Sequence, residues 1–98
     1  MKAPQIASHA IKAALSRANI DPSSSDIDEV FLGNVVSAGI GQAPSKQAVL
    51  FSGLPNTIPC TTINKVCASG MKSTMFAAQS VMLGHQVGLI VDIFFSPQ

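Results

Sequence analysis

Charge is what this chain has least of. Only 11% of its 98 residues are Asp, Glu, Lys or Arg, against 47% apolar, where a soluble domain ordinarily carries about 25% charged residues. A chain this short leaves roughly a third of its unfolded area in water after folding, so the shortage implies surfaces meant to be covered by more protein. There is no Trp, no Tyr and no basic block, and the net charge is +1. That excludes the clustered positive footprint of a nucleic-acid binder. No apolar run approaches the ~18 residues a membrane helix needs. Residues 1–20 interrupt themselves with Pro4, His9, Lys12 and Arg17, so they lack the apolar core of a signal peptide. With few acids and two serines they resemble a transit peptide weakly, and no clear targeting segment emerges. A cytoplasmic or mitochondrial location is expected. Two cysteines, Cys60 and Cys67, and two histidines, His9 and His85, fit no zinc spacing. A disulfide between the cysteines is conceivable on paper, but two reduced thiols are expected.

What is present alternates regularly. In residues 4–19, Ile6, Ala7, Ala10, Ile11, Ala14, Leu15 and Ala18 mark one helical face, with Pro4 in the first turn and Asn19 as the stop. Residues 29–36, EVFLGNVV, read as a strand. After a turn-rich loop, Pro44 opens a helix through about Phe51 that Gly53 ends. TIPCTTI at 57–63 reads as a second strand, placed near an edge or bulge by Pro59. A third helix over 69–83 carries Met71, Met75, Ala78 and Met82 on one face, read as core filler, with Gly84 as C-cap. Residues 87–95, VGLIVDIFF, read as a buried strand. The α-β-α-β-α-β order means an α/β fold with mainly parallel strands and right-handed crossovers.

NKVCASGMK, residues 64–72, sets a cysteine at a strand-to-helix turn. A free cysteine is usually buried and inert. Here Cys67 stands at the mouth of a helix, where unpaired N–H groups and the macrodipole favour a thiolate. Ala68, Ser69 and Gly70 are small enough for an acyl group to approach and for backbone N–H groups to hold an oxyanion. A nucleophile of this kind needs a base. His85 lies past the far end of a helix about 22 Å long, and His9 belongs to the first helix, so neither serves. GIGQAP at 39–44 has Pro44 where a dinucleotide fingerprint needs its third glycine, and it reads as a turn. Cys60 reads as packing.

CTTINKVCASGMKS resembles the active-site segment of thiolases, acetyl-CoA acetyltransferases among them, and the likeness runs on through GNV, GQAPSKQA and GLP. It covers about residues 5–86, with Thr74 a small departure where the family prefers an aliphatic residue. The resemblance implies a partial thiolase-like α/β fold: the N-terminal half of an α-β-α-β-α layered architecture built from two similar halves. It implies that Cys67 takes an acetyl group from acetyl-CoA as a thioester, which a second acetyl-CoA attacks by Claisen condensation, thiolysis being the reverse. Acetyl-CoA or another acyl-CoA is then the substrate, with no cofactor and no metal. It implies a homo-oligomer or a thiolase-subunit partner, with the Cys60 strand pairing across a two-fold axis, Gln42 in a loop near that contact, and neither nucleic acid nor membrane as partner. The family's catalytic histidine, second cysteine, oxyanion-water asparagine and most of its CoA loop have no counterpart here. Residues 1–86 thus read as a thiolase N-terminal fragment without turnover of its own, and 87–98 as a divergent tail, with phenylalanines where glycines are expected. Two alternatives stand beside this reading: a non-catalytic module pairing with full-length thiolase subunits, and a ketoacyl-synthase relative.

Overall fold

The computed structural model describes residues 1–86 and the backbone of 89–95. Six elements alternate: α1 (Ala3–Arg17), β1 (Ile27–Asn34), α2 (Pro44–Phe51), β2 (Cys60–Ile63), α3 (Ser69–Met82) and β3 (Leu89–Phe95). The strands form one parallel sheet in the order β2-β1-β3. The chain steps from β1 to β2 in one direction and from β2 back across to β3 in the other. Crossovers of one hand must then lay their helices on opposite faces, and they do: α1 and α2 cover one face, α3 the other. The expected α/β fold with parallel strands is what forms.

The strand ends differ from the expected ones for local reasons. β1 stops at Asn34 rather than residue 36, because the Asn34 amide donates to the Val36 carbonyl and the Ser37 hydroxyl and bends the chain out of the sheet. β2 starts at Cys60 rather than residue 57. Pro59 has no N–H to donate and instead accepts from Val30 at 3.0 Å, while Lys46 ties down the carbonyls of Asn56 and Ile58. β2 is an edge strand among the described ones, as Pro59 requires. The strand expected over 87–95 forms as β3 over 89–95; positions 87 and 88, and the burial expected of this strand, lie outside the described residues.

Alternation along β1 divides the core. Val30 and Leu32 point toward α1 and α2, where Ala7, Ile11, Leu15, Ala48 and Val49 close the larger cluster. Phe31 points the other way, to Ile63, Ala77 and Phe76. Gly33 shares that second face, and a Cβ there would lie 2.8 Å from the backbone carbon of Ser69. The first turn of α3 therefore sits directly on β1.

The expected packing of α3 is overturned. Its buried face is Ser69, Ser73 and Ala77, while Met71, Met75, Ala78 and Met82 face outward, Met71 and Met82 at 70% and 83% exposure. The close approach at Gly33 admits only small side chains, so the helix turns its serines to the sheet and its methionines away. Ser73 and Thr74 return their hydroxyls to the Gly70 carbonyl, which lets a polar residue such as Ser73 be buried.

Candidate active site at the end of β2

In a sheet of this kind ligands bind beyond the carboxyl ends of the strands, where neighbouring strands send their connections to opposite faces. β1 and β2 are such a pair. The chain leaves β1 toward α2 and leaves β2 toward α3. Cys67 lies in the second of these connections, four residues past the end of β2 and two before α3, and its side chain is exposed. The Asn64 amide reaches across the gap to the carbonyl of Val35, at 3.4 Å.

The turn holding Cys67 is closed on every side. The Asn64 carbonyl oxygen accepts from the Val66 N–H at 3.0 Å. The Ser69 hydroxyl accepts from the Lys65 N–H at 2.8 Å and donates to the Val66 carbonyl at 2.7 Å. Ala68 donates to the Lys65 carbonyl at 3.0 Å. Within this frame Val66 has φ +49°, a left-handed conformation that a β-branched residue adopts only when its surroundings enforce it. Lys72 is the first helical residue whose N–H reaches a carbonyl one full turn back, on Ala68. Among the described residues no carbonyl takes the N–H of Cys67, Gly70 or Met71. The expected strand-turn-helix cysteine is present, with donors beside it.

The two histidines stand apart. His9 is on α1, behind the opposite face of the sheet, and His85 follows the far end of α3, so neither meets Cys67. Gln42 lies in the loop before α2, where its carbonyl accepts from the Gln47 amide at 2.7 Å. Among the described residues no three His, Cys, Asp or Glu side chains group as a metal site. No described helix is long and apolar enough to cross a membrane. The bonds by which Ser69 and Asn64 hold Val66, and the seat of Ser69 on Gly33, were not legible in the sequence. A glycine inside a strand marks close backbone approach, and that signal pointed to Gly33. Asn34 is 1% exposed, and among the described residues its side-chain oxygen Oδ1 is buried without a hydrogen-bond partner.

Both thiols are free, and their surroundings differ. Cys60 is half-buried and donates to the Ile58 carbonyl at 3.2 Å. Burial pushes its thiol pKa up; Lys46 partly offsets this and Glu29 adds to it. The folded Cys60 keeps its proton to higher pH than the unfolded one. Its contribution to stability is therefore full below the unfolded value of about 8.5 and is lost as pH rises from there toward the folded value. At neutral pH Cys67 should alkylate with iodoacetamide about tenfold or more faster than Cys60, and urea should abolish the difference. Timed labelling with peptide mass spectrometry measures both; equal rates in buffer would mean that the turn does not form.

Residues 1–91 match the family described as "Thiolase, N-terminal domain". The chain is 58% identical over 85 residues to an acetyl-CoA acetyltransferase of Schizosaccharomyces pombe, covering 87% of this chain and 21% of the relative. It is 57% identical over 84 residues to acetyl-CoA acetyltransferase 2 of Arabidopsis thaliana, covering 86% and 20%. It is 58% identical over 86 residues to the mitochondrial acetyl-CoA acetyltransferase B of Xenopus laevis, covering 88% and 20%. The chain spans about a fifth of the length of these curated relatives.

Proposed function

The chain belongs to the thiolase family, matching its N-terminal domain, and we propose that Cys67 is the family's acyl-accepting thiol, with acetyl-CoA as donor. The observation that carries this is the placement of an exposed cysteine at the β1/β2 switch point, on a closed turn with unpaired N–H groups beside it. The Cys67 sulfur, as thiolate, attacks the carbonyl carbon of the acetyl thioester. A carbon–sulfur bond to Cys67 forms, the bond to the CoA sulfur breaks, and the departing CoA thiolate takes up the proton Cys67 gave up. Backbone N–H groups hold the negative oxygen between these events. Condensation of the bound acetyl with a second acetyl-CoA is assigned to the complete family architecture, and residues 1–86 and the tail 87–98 are read as its N-terminal piece and a departure from it. No cofactor enters this reading. Its compartment is cytoplasmic or mitochondrial; the relatives' names include both.

Incubation with acetyl-CoA, or with a short acetyl thioester, should add one acetyl group to Cys67, found by peptide mass spectrometry, and none to a Cys67→Ser chain. Acetylation of Cys60 in preference to Cys67 would sink the proposal.

The outward stripe of Met71, Met75, Val81, Met82 and Leu83 favours a second, compatible reading: pairing with another copy or with a thiolase subunit. A bare apolar stripe of this extent marks a contact surface, and among the described residues the outer edge of β2 pairs with no other strand. Sedimentation at tens of micromolar, an order-of-magnitude choice of concentration, should show association. A stable compact monomer would count against pairing.

A further inference from the structure

Resting on the reading of Cys67 as the acyl acceptor, we infer that Ser69 and Asn64 are its positioning residues: together they fix the left-handed Val66 that aims the Cys67 sulfur and backbone N–H at an acyl carbonyl. The two side chains take the backbone groups that a turn this tight leaves over. Asn64 accepts the N–H of Val66. Ser69 accepts the N–H of Lys65 and gives its own proton to the Val66 carbonyl. One hydroxyl thus brackets the left-handed residue, bonded to the N–H of Lys65 just before Val66 and to the carbonyl of Val66 itself. Ser69 is 0% exposed, so its hydroxyl serves the turn and not water.

The position of this hydroxyl is fixed independently. The Ser69 backbone rests against β1, where Gly33 has no Cβ to hold it off. The lock is therefore anchored to the sheet rather than to the loop it closes. Asn64 is anchored at its other end by the Val35 carbonyl after β1. The sulfur is held with respect to two strand ends, β1 and β2. Neither residue needs to touch the acyl group to act. Both work through Val66, whose left-handed backbone persists only where its surroundings enforce it.

Acylation and alkylation separate this role from a general contribution to stability. Attack on a thioester carbonyl needs the sulfur and an oxyanion donor in register; attack on iodoacetamide needs only an accessible thiolate. In Ser69→Ala, acylation of Cys67 by a short acetyl thioester should fall about tenfold or more, the order of loss that misplacing a reacting atom produces. Alkylation should change by less than about twofold, a gap that alkylation's indifference to the oxyanion donor predicts. Ser69→Thr, which keeps the hydroxyl, should restore acylation. Equal losses in both reactions, or none in either, would overturn the assignment. Should either Ser69 variant unfold, as Cys60 alkylating at its rate in urea would show, the exposed Asn64 decides. Asn64→Ala removes both the acceptor for Val66 and the donor to Val35 and should lower the acylation-to-alkylation ratio; a ratio unchanged in Asn64→Ala would then overturn the assignment. A native chain whose ratio equals that in urea refutes Cys67 as acyl acceptor instead. The turn is then judged by amide exchange at Lys65 and Val66, which Ser69→Ala should accelerate; exchange unaltered by that change refutes the lock.

Discussion

Supplied with acetyl-CoA, the 98-residue chain should form no acetoacetyl-CoA above the uncatalysed rate, even while Cys67 takes up an acetyl group. Condensation needs a proton removed from the methyl carbon of the second acetyl thioester, and no described side chain is placed to remove it. His9 is screened from Cys67 by the sheet, and His85 is separated from it by the 14 residues of α3, about 20 Å of helix. A positioned base alone is typically worth about 10²–10⁴-fold. Catalytic groups that act as a unit lose far more together than their separate effects imply. A coupled assay for acetoacetyl-CoA measures this. A steady-state rate within about tenfold of an intact thiolase's would show that these residues hold a base after all, and the site described above would have to be redrawn around it.

The substitution with the largest expected effect on the fold is Gly33→Ala. Its Cβ would meet the carbon of Ser69 at 2.8 Å, its carbonyl oxygen at 2.9 Å and the nitrogen of Gly70 at 3.0 Å. These are backbone atoms of a helix start and cannot swing aside as a side-chain tip would. Overpacking of this kind costs about 1–3 kcal/mol, and the rigidity of both partners places Gly33→Ala at the upper end. If the chain relieves the clash, it does so by lifting the start of α3 off β1. Cys67 would then lose its frame while the α1/α2 cluster on the other face persists. Urea titration followed by circular dichroism, with Cys67 alkylation and acetylation read in parallel, tests both consequences. A Gly33→Ala chain as stable as the parent, with unchanged acetylation, would show that α3 does not seat on β1 as described.

The alternation of elements was legible because period and punctuation agreed. Pro44 and Gly53 bracket α2, and Asn19 and Gly84 take the left-handed positions just past α1 and α3. The thiolase likeness of NKVCASGMK led to family membership, and the cysteine it marked does stand at a strand-to-helix turn. What misled was α3. Met71, Met75, Ala78 and Met82 recur at helical spacing, and so do Ser69, Ser73 and Ala77. Hydropathy alone puts the methionines inside. The decision belongs to a glycine 36 positions before Ser69 in the chain, which lets the helix come too close to the sheet for a long side chain. Val66 was illegible for a related reason. Its branched side chain argues against a left-handed backbone, and only hydrogen bonds from Asn64 and Ser69 override that preference. The tail was read as divergent, yet its backbone supplies β3, paired with β1 from Leu89 to Phe95.

The outward methionines of α3 also give the molecule a chemical memory of its surroundings. A thioether open to solvent is oxidised by peroxide to a sulfoxide, and one covered by another protein surface is spared. Met71 and Met82 stand most open along the helix and Met75 less so, so their sulfoxide yields form a graded record of how much of the face was covered when the oxidant arrived. The same reaction converts an apolar stripe into a polar one. A copy oxidised while bare would lose the surface by which it could later be covered, making exposure of α3 self-perpetuating until a reductase restores the thioethers.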